Sequence, residues 1–150
     1  MHTGLNVIVV DDDRDVLAFL QEVLRGFYVW GDVLAFDDPQ TAAAYCLEQP
    51  PGVAVFVLDV YMGSWTAFDF LERVQVRFPM AAQDAVIITG NASDEVVSAC
   101  VEADITHLLE KPLRPYALQL AVRSIVSKYI KFARRLLTDP QFADQLPVFH

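Results

Sequence analysis

The chain has 150 residues, enough for one domain with a single sizeable core, and 54% of them are hydrophobic, which excludes a disordered chain. Twenty acidic side chains outnumber 11 basic ones, so the formal net charge is -9, and this argues against a protein whose main task is to hold nucleic acid phosphates. No apolar run is long enough to cross a bilayer, and no basic region precedes the first apolar run as in a secretion signal. We therefore expect a cytoplasmic protein with no direct contact to membrane or nucleic acid.

The first half of the chain alternates short apolar runs with amphipathic stretches. The pattern predicts a strand over 5–10, a helix over 14–26, a strand over 32–36, a helix over 39–49 and a strand over 53–58. Gly26 is expected to end the first of these helices. Pro39, which follows Asp37 and Asp38, is expected in the first turn of the second helix, where proline is well tolerated.

The second half continues the alternation. It predicts a helix over 66–78 that Pro79 ends, a strand over 85–89, a helix over 93–103 with Ser93 as its N-cap, a weaker strand over 105–109 and a last helix from about Pro115. Five strands alternating with helices predict a parallel sheet with right-handed crossovers. Strands that are apolar on both faces predict helices on both sides of that sheet, and therefore an α/β fold.

Polar residues follow the predicted strands at their carboxyl ends, where ligands bind in open α/β sheets. The first strand is followed by Asp11, Asp12 and Asp13, and the third ends at Asp59. The fourth ends at Thr89 and Gly90, and the fifth runs into Lys111 and Pro112. One rim of the sheet is therefore predicted to collect several carboxylates, one hydroxyl and one amine.

This set of groups has a definite chemistry. Carboxylates crowded into one cleft repel one another at neutral pH and need a cation, and oxygen ligands of this kind suit Mg²⁺. Once the metal offsets the charge, Asp59 can act as a nucleophile toward a phosphoryl group, and Lys111 and Thr89 can stabilise the charge on the transferred oxygens. Phosphorylation would then change how Thr89 and its loop sit, which is a switch rather than turnover.

Simpler interpretations apply to several of the same residues. Asp13 is expected to cap the first helix, and Asp37 and Asp38 to cap the second, rather than to join the site. Thr89 alone would be an ordinary β-branched strand residue, and His107 is expected to be structural or on the surface. Two adjacent acids cannot both cap one helix, which favours Asp11 and Asp12 as ligands.

Four motifs, VVDDD, VFVLD, IITG and LLEKP, stand in this order at the ends of the predicted strands. Each is weak alone, but together they resemble the receiver domain of two-component response regulators, a chemotaxis-regulator-like phosphoacceptor domain, over about residues 5 to 127. The resemblance implies a flavodoxin-like, doubly wound (βα)5 three-layer sandwich with a parallel five-stranded sheet of strand order 2-1-3-4-5.

The resemblance also implies roles for individual residues. Asp59 matches the phosphoacceptor. Asp11 and Asp12 match the acidic pair that binds Mg²⁺, Asp12 directly and Asp11 mostly through water, and the backbone carbonyl of Tyr61 matches a further metal ligand. Thr89 matches the switch hydroxyl.

The remaining matches support the site. Gly90 matches the small residue that leaves room for the phosphoryl group. Lys111 matches the family's lysine. Pro112 matches the proline that follows a cis peptide bond.

Three positions depart from the usual family pattern. Gly63 stands where proline is usual and Ala67 where glycine is usual, so we expect a more mobile loop after the third strand. Leu108 stands three residues before the lysine, where the family usually has an aromatic residue, and His107 should point to the opposite face of the strand. The aromatic switch is therefore expected to be altered or absent.

The C-terminal part is the least family-like, and we divide the chain into a receiver domain over 1–127 and a helical extension and tail over 128–150. Six apolar residues follow a heptad-type spacing: Leu118, Val122, Ile125, Tyr129, Phe132 and Leu136. Two interpretations stay open: a dimerising helix that joins two copies through the last helix and its extension, or a helix packed on the sheet with a tail that folds back. Asp139 and Pro140 are expected to end the helix.

These features together predict a response regulator receiver that takes a phosphoryl group on Asp59 from a sensor histidine kinase or a histidine phosphotransfer protein, with Mg²⁺ as cofactor. It is expected not to be a turnover enzyme, although it catalyses its own phosphorylation and dephosphorylation. The alternative is a receiver-like interaction module that works without phosphorylation. A Mg²⁺-dependent phosphohydrolase would want an acid two residues after the nucleophile, and that position is Tyr61.

Overall fold

The structure is a computed structural model that describes residues 4–145. In chain order the elements are β1 (Val7–Val10), α1 (Arg14–Phe27), β2 (Val33–Phe36), α2 (Pro39–Leu47), β3 (Val55–Asp59), β4 (Tyr61–Met62), β5 (Trp65–Thr66), α3 (Ala67–Val74), β6 (Ala85–Thr89), α4 (Asp94–Glu102), β7 (His107–Glu110), α5 (Pro115–Thr138) and α6 (Pro140–Asp144).

Five of these strands form one parallel sheet of spatial order β2-β1-β3-β6-β7. With the short hairpin of β4 and β5 left out of the count, this is the predicted order 2-1-3-4-5, so the flavodoxin-like α/β fold is confirmed. Val10 pairs with Leu58, and Thr89 pairs with Glu110. The strands therefore end nearly level with one another, which brings the residues that follow them to one rim.

Two apolar layers cover the two faces of the sheet. Alternate residues of the central strands point to opposite faces, as the period of two in a strand requires. On one face Ile8, Phe56 and Ile87 pack against α2, α3 and α4. On the other face Val9 and Val57 pack against α1 and α5. The predicted helices on both sides of the sheet are thus present, and the central strands are buried on both faces.

Side-chain caps set the start of most helices. Asp13 accepts hydrogen bonds from the first turn of α1, Asp38 caps α2 and Ser93 caps α4, as predicted from the sequence. Thr66 forms a reciprocal capping box with Asp69 at the start of α3, in which each side chain accepts the backbone N–H of the other residue. These caps fix where each crossover leaves the rim of the sheet.

Two predicted helix ends are wrong. Gly26 does not stop α1, which continues to Phe27 and ends where the backbone of the buried Tyr28 becomes extended. α3 ends at Val74 rather than near Pro79, because the chain turns there and brings Phe78 into the core beside Phe56, with 5.5 Å between the ring centroids. Packing of an aromatic residue, rather than a breaker residue, decides both ends.

The loop after β3 forms a short hairpin. Tyr61 pairs with Thr66 and Met62 with Trp65 in an antiparallel arrangement, and Gly63 lies in the turn between them with φ of 67°. The Arg73 guanidinium stacks over the Trp65 ring at 4.0 Å from its centroid. The glycine that replaces the family's usual proline therefore serves a turn that needs positive φ.

Helix α5 is continuous across residue 127, so both parts of the proposed domain division share one helix. Its first half packs on the sheet through Leu118, Val122 and Ile125. Farther along, Lys128 and Tyr129 both hydrogen-bond to the carboxylate of Asp84, which is fully buried just before β6. This buried carboxylate ties α5 to the edge of the sheet opposite the rim.

Beyond Asp139 the chain folds back, because α6 packs against the end of α5. The Phe132 and Phe142 rings meet edge to face with 5.7 Å between their centroids, and the Arg135 guanidinium lies over Phe142 at 3.8 Å. One residue of the predicted heptad seam, Phe132, thus contacts the chain's own tail, although it is still 39% exposed. The end of α5 at Asp139 is confirmed, whereas residues 146–150 of the predicted tail lie outside the described residues.

No helix within residues 4–145 has both the length and the apolar content that a membrane span requires. Cys46 and Cys100 are both buried free thiols.

Candidate functional site

Three carboxylates meet at the rim formed by the ends of β1 and β3. One oxygen atom from each of Asp11, Asp12 and Asp59 lies within 4.8 Å of the other two. They come together because β1 and β3 are neighbours in register, so the residues after Val10 face the end of β3. Asp11 is fully buried, Asp59 is half-buried and Asp12 is exposed, so the cluster opens to solvent on one side.

The hydrogen bonds of these carboxylates are incomplete. Asp11 Oδ1 accepts the backbone N–H of Asp13 at 2.9 Å, whereas the buried Oδ2 of Asp11 has no hydrogen-bond partner within residues 4–145. Asp12 Oδ2 accepts the backbone N–H of Gly63 in the hairpin turn at 3.1 Å. A buried carboxylate oxygen without a donor is costly, and a cation at this point would satisfy it.

Among the described residues, Lys111 provides the one ammonium group that contacts this cluster. Its Nζ atom lies 3.7 Å from Asp59 Oδ2 and 4.0 Å from Asp11 Oδ2. The backbone positions the side chain, because the N–H of Lys111 donates to the carbonyl of Thr89 at 2.8 Å. The peptide bond between Lys111 and Pro112 is cis, as the resemblance implied.

The electrostatics of the cluster favour an added positive charge. Burial raises the pKa of Asp11 to about 6, with the Asp59 carboxylate adding to the shift and the Asp13 N–H and Lys111 opposing it. Burial also raises the pKa of Asp59, and Lys111 opposes that shift. One ammonium group does not balance three carboxylates, so the donor set fits a divalent cation such as Mg²⁺, which prefers oxygen ligands.

Thr89 ends β6 next to the cluster and is buried. Its hydroxyl donates to the carbonyl of Asn91 and accepts the N–H of the same residue, both at 3.2 Å. Gly90 follows with open space where a Cβ would lie. The hydroxyl is therefore engaged within its own loop, and donation to another acceptor would end its hydrogen bond to the Asn91 carbonyl.

The remaining predicted site residues lie around this rim. Tyr61 begins the hairpin with an exposed side chain, and metal binding by its carbonyl stays a prediction. Leu108 packs with the core layer on the α4 side of the sheet, and Leu109 packs on the α5 side. His107 is half-buried, and burial together with the nearby Lys128 lowers its pKa. The neighbours of Leu108 on β7 thus alternate between faces as predicted.

Two contacts at the rim were not predicted from the sequence. One is the hydrogen bond between Asp12 and Gly63, and the other joins Glu110 Oε2 to the backbone N–H of Ala92 at 2.7 Å. The second had a signal in the sequence, because a glutamate stands between the apolar pair Leu108 and Leu109 and the lysine at 111. The first had none, since residues 51 positions apart meet only after the sheet forms.

The sequence was compared with protein families and with known proteins. The profile of the response regulator receiver domain matches residues 7–123. The cyclic di-GMP phosphodiesterase response regulator RpfG of Xanthomonas campestris pv. campestris is 29% identical over 117 residues, which are 77% of this chain and 30% of that protein. The two-component response regulator ORR6 of Oryza sativa subsp. japonica is 24% identical over 111 residues, which are 74% of this chain and 65% of that protein.

The fold was compared with solved structures. A CheY-like response regulator receiver domain protein from Methanospirillum hungatei superimposes with a TM-score of 0.73 at 18% identity, covering 86% of this chain and 98% of that one. At this identity the likeness concerns the fold. The chain spans less than a third of RpfG and just under two thirds of ORR6, so it corresponds to one part of each of those proteins.

Proposed function

The chain belongs to the response regulator receiver domain family, and we propose that it accepts a phosphoryl group on Asp59 from a sensor histidine kinase or a histidine phosphotransfer protein. The observation that carries this proposal is the position of the Lys111 ammonium, 3.7 Å from Asp59 Oδ2, beside a cluster of two further carboxylates. This arrangement puts a nucleophilic oxygen, a fixed positive charge and a set of metal ligands in one open cleft.

In the proposed reaction an Asp59 carboxylate oxygen attacks the phosphorus of a phosphohistidine. The bond between phosphorus and the histidine nitrogen breaks, the nitrogen keeps the electron pair, and an acyl phosphate forms on Asp59. Lys111 stabilises negative charge on the transferred oxygens, because its ammonium already lies beside the acceptor oxygen.

Mg²⁺ is the cofactor that goes with this proposal. Asp11, Asp12 and Asp59 would hold it, together with the backbone carbonyl of Tyr61, and the unpaired Oδ2 of Asp11 supports this assignment. When bound, it supplies positive charge that offsets both the carboxylates and the phosphoryl oxygens. The residues of the chain do the remaining work: they orient the acceptor and limit the access of water on the buried side.

The proposed output is a change of surface rather than of substrate. The Thr89 hydroxyl would leave Asn91 to donate to the phosphoryl group, with Gly90 leaving room for that group, so the loop between β6 and α4 would move. The chain would release the phosphoryl group by its own hydrolysis and would not turn over a substrate. The phosphodiesterase activity in the name of RpfG belongs to a protein of which this chain matches less than a third.

A second candidate is an interaction module that works without phosphorylation, and Leu108 is the observation that favours it. This side chain is packed within the core layer beneath α4 and carries no polar atom that could report a change at Asp59. Both candidates place the protein in the cytoplasm with a protein partner. Pairing of two copies through α5 remains a further proposal.

Tryptophan fluorescence can test the phosphoacceptor. Trp65 lies in the hairpin whose turn contacts Asp12, and substituting the other tryptophan, Trp30→Phe, leaves Trp65 as the single reporter. Titration with beryllofluoride and Mg²⁺ should give a saturable change that requires both additives, and an Asp59→Asn variant should give none.

Intact mass after incubation with acetyl phosphate provides the second readout. One phosphoryl group should appear on the wild-type chain and none on the Asp59→Asn variant. No fluorescence change together with an unchanged mass would remove the phosphorylation proposal and leave the interaction module.

A further inference from the structure

Glu110 accepts a hydrogen bond from a loop at the rim of the sheet. It is the last residue of β7, and its exposed side chain turns toward the loop between β6 and α4, where Oε2 accepts the backbone N–H of Ala92 at 2.7 Å. Hydrogen bonds with an ionised acceptor at such a distance are among the stronger ones in proteins. The bond therefore ties the switch loop, residues 90–93, to the strand that leads into Lys111.

This hydrogen bond is not part of a helix cap. The N-cap of α4 is Ser93, whose hydroxyl accepts the N–H of Val96, so Ala92 precedes the helix and its N–H is not one of the donors that a helix start leaves free. The loop residue between Ala92 and Gly90 is Asn91, which holds the Thr89 hydroxyl through both its N–H and its carbonyl. The Asn91 carbonyl and the Ala92 N–H belong to one peptide unit, so Glu110 holds the same peptide that accepts the Thr89 hydroxyl.

We propose that Glu110 is a positioning residue that holds the switch loop in the arrangement in which the Thr89 hydroxyl is engaged with Asn91. The inference rests on the proposed function, because it assumes that Thr89 has a second acceptor at Asp59. To donate to that acceptor, the hydroxyl must leave the Asn91 carbonyl, which frees the Asn91–Ala92 peptide to shift, and the bond to Glu110 opposes that shift. Release of the Ala92 N–H accompanies engagement of Thr89.

The position of Glu110 on β7 also relates the switch loop to the face of the sheet toward α4. Side chains at i and i+2 share one face of a strand, so Glu110 lies on the same face of β7 as Leu108, the face toward α4. Leu108 is apolar and offers no hydrogen bond to the loop. Of these two β7 residues, Glu110 is therefore the one that can hydrogen-bond to the switch loop.

The test compares the affinity for beryllofluoride, in saturating Mg²⁺, of the full chain with those of Glu110→Ala and Glu110→Gln. Glutamine keeps an oxygen that can accept the Ala92 N–H but loses the charge, whereas alanine loses both. Since the hydrogen bond opposes the shift of the loop, Glu110→Ala should bind beryllofluoride about three- to tenfold more tightly than wild type. Glu110→Gln should stay within about twofold of wild type.

A second readout separates positioning from a general effect on folding. In amide NMR spectra, the Ala92 signal of the wild type and of Glu110→Gln should shift on saturation with beryllofluoride as the hydrogen bond is released. Before beryllofluoride is added, the Ala92 signal of Glu110→Ala should already lie near the position that the wild-type signal reaches on saturation. Urea unfolding of each variant shows whether it is folded under the conditions of the titration.

Three results would overturn the inference. An equal increase in the affinity for beryllofluoride in both variants would mean that only the charge of Glu110 acts on the site. Unchanged affinity in Glu110→Ala, with normal binding by wild type, would remove Glu110 as a positioning residue and leave the proposed function intact. A wild-type chain that neither binds beryllofluoride nor takes a phosphoryl group would overturn both.

Discussion

Asp84 and Lys128 form an ion pair in which the carboxylate is fully buried and the ammonium half-exposed, and the Tyr129 hydroxyl donates to the second carboxylate oxygen. Removing one partner of such a pair leaves a buried charge without compensation, which costs more than the pair itself contributes. We expect Lys128→Met to lower the free energy of unfolding by about 1 to 3 kcal/mol, below the range for fully buried pairs because Lys128 reaches solvent.

Urea unfolding followed by circular dichroism measures this loss. Arg123→Met, an exposed residue on the same helix, is the matched control and should change stability by less than about 0.5 kcal/mol. The double variant Asp84→Asn with Lys128→Met should recover part of the loss, because the uncompensated charge is then absent. Equal losses in the control and in Lys128→Met would contradict the proposed contribution of the ion pair.

The raised pKa of Asp11 makes the metal-free protein sensitive to pH. The carboxyl has a pKa of 3.8 without the fold and about 6 within it, so the folded state holds the proton more tightly. Its contribution to stability is complete below about pH 4 and is lost as the pH rises to about 6. At pH 7 without metal, Asp11→Asn should therefore be more stable than wild type by about 2 to 3 kcal/mol.

Urea unfolding in the presence of a chelator at pH 4 and pH 7 provides the measurement. The advantage of Asp11→Asn should be small at the lower pH and should shrink when Mg²⁺ is added at the higher pH. A difference that stays constant between the two pH values would show that Asp11 does not titrate between them.

Lys111 is predicted to matter for phosphoryl transfer rather than for binding of the phosphodonor. Its ammonium lies beside Asp59, so Lys111→Gln should slow phosphorylation by acetyl phosphate about 100-fold, the typical effect of removing one donor to a developing anion. Intact mass against time measures the rate, and Lys131→Gln, an exposed lysine on α5, is the control. A rate within twofold of wild type would remove Lys111 from the transfer step.

Three glycine substitutions, two at Gly63 in the hairpin turn and one at Gly26 in α1, should change the free energy of unfolding by different amounts. Gly63 has φ of 67° and open space at the Cβ position, so Gly63→Ala should cost about 1 to 2 kcal/mol from backbone strain alone. Gly63→Pro should cost more, because proline cannot adopt this φ and also removes the N–H that Asp12 accepts. Gly26→Ala, inside α1, should instead stabilise the protein by about 0.5 to 1 kcal/mol. Thermal or urea unfolding ranks the three.

The contact between Phe132 and Phe142 bears on the oligomeric state. Because Phe142 packs against Phe132, the variant Phe142→Ala should increase the exposure of one position of the apolar seam on α5 and increase self-association. Sedimentation velocity over a range of concentrations detects this, with Phe142→Ala in a Phe132→Ala background as the control that should stay closer to wild type. A wild-type chain that already forms dimers which Phe142→Ala leaves unchanged would show that the tail does not cover the interface.

The sheet and its rim could be predicted from the sequence because both depend on local signals. Strands that are apolar on both faces, caps such as Asp13 and Ser93, and polar residues directly after each strand all belong to short segments. Once the strands are parallel, their ends must meet at one edge, which is why Asp11, Asp59 and Lys111 are close in space.

The unpredicted features depend instead on contacts between distant segments. Asp84 stands before a buried strand and its partners lie 44 and 45 positions later, so nothing local marks it as a buried acid. Tyr129 belongs to the apolar seam in the sequence, yet both it and the adjacent Lys128 hydrogen-bond to Asp84 in the structure. The hairpin at Gly63 was missed for a similar reason, since two-residue strands carry no periodicity.

The hydrogen bonds from Lys128 and Tyr129 to Asp84 also divide α5 into two parts. At 1.5 Å per residue, α5 is about 36 Å long, with about 20 Å between Pro115 and Lys128 and about 15 Å from there to Thr138. The part before Lys128 is held on the sheet by the buried Leu118, Val122 and Ile125, whereas most residues beyond it are exposed. The first turn follows closely after Lys111, and the far end carries the packed pair of Phe132 and Phe142. Asp84 thus marks the point at which α5 leaves the sheet and becomes a mostly exposed arm that carries the contact with α6.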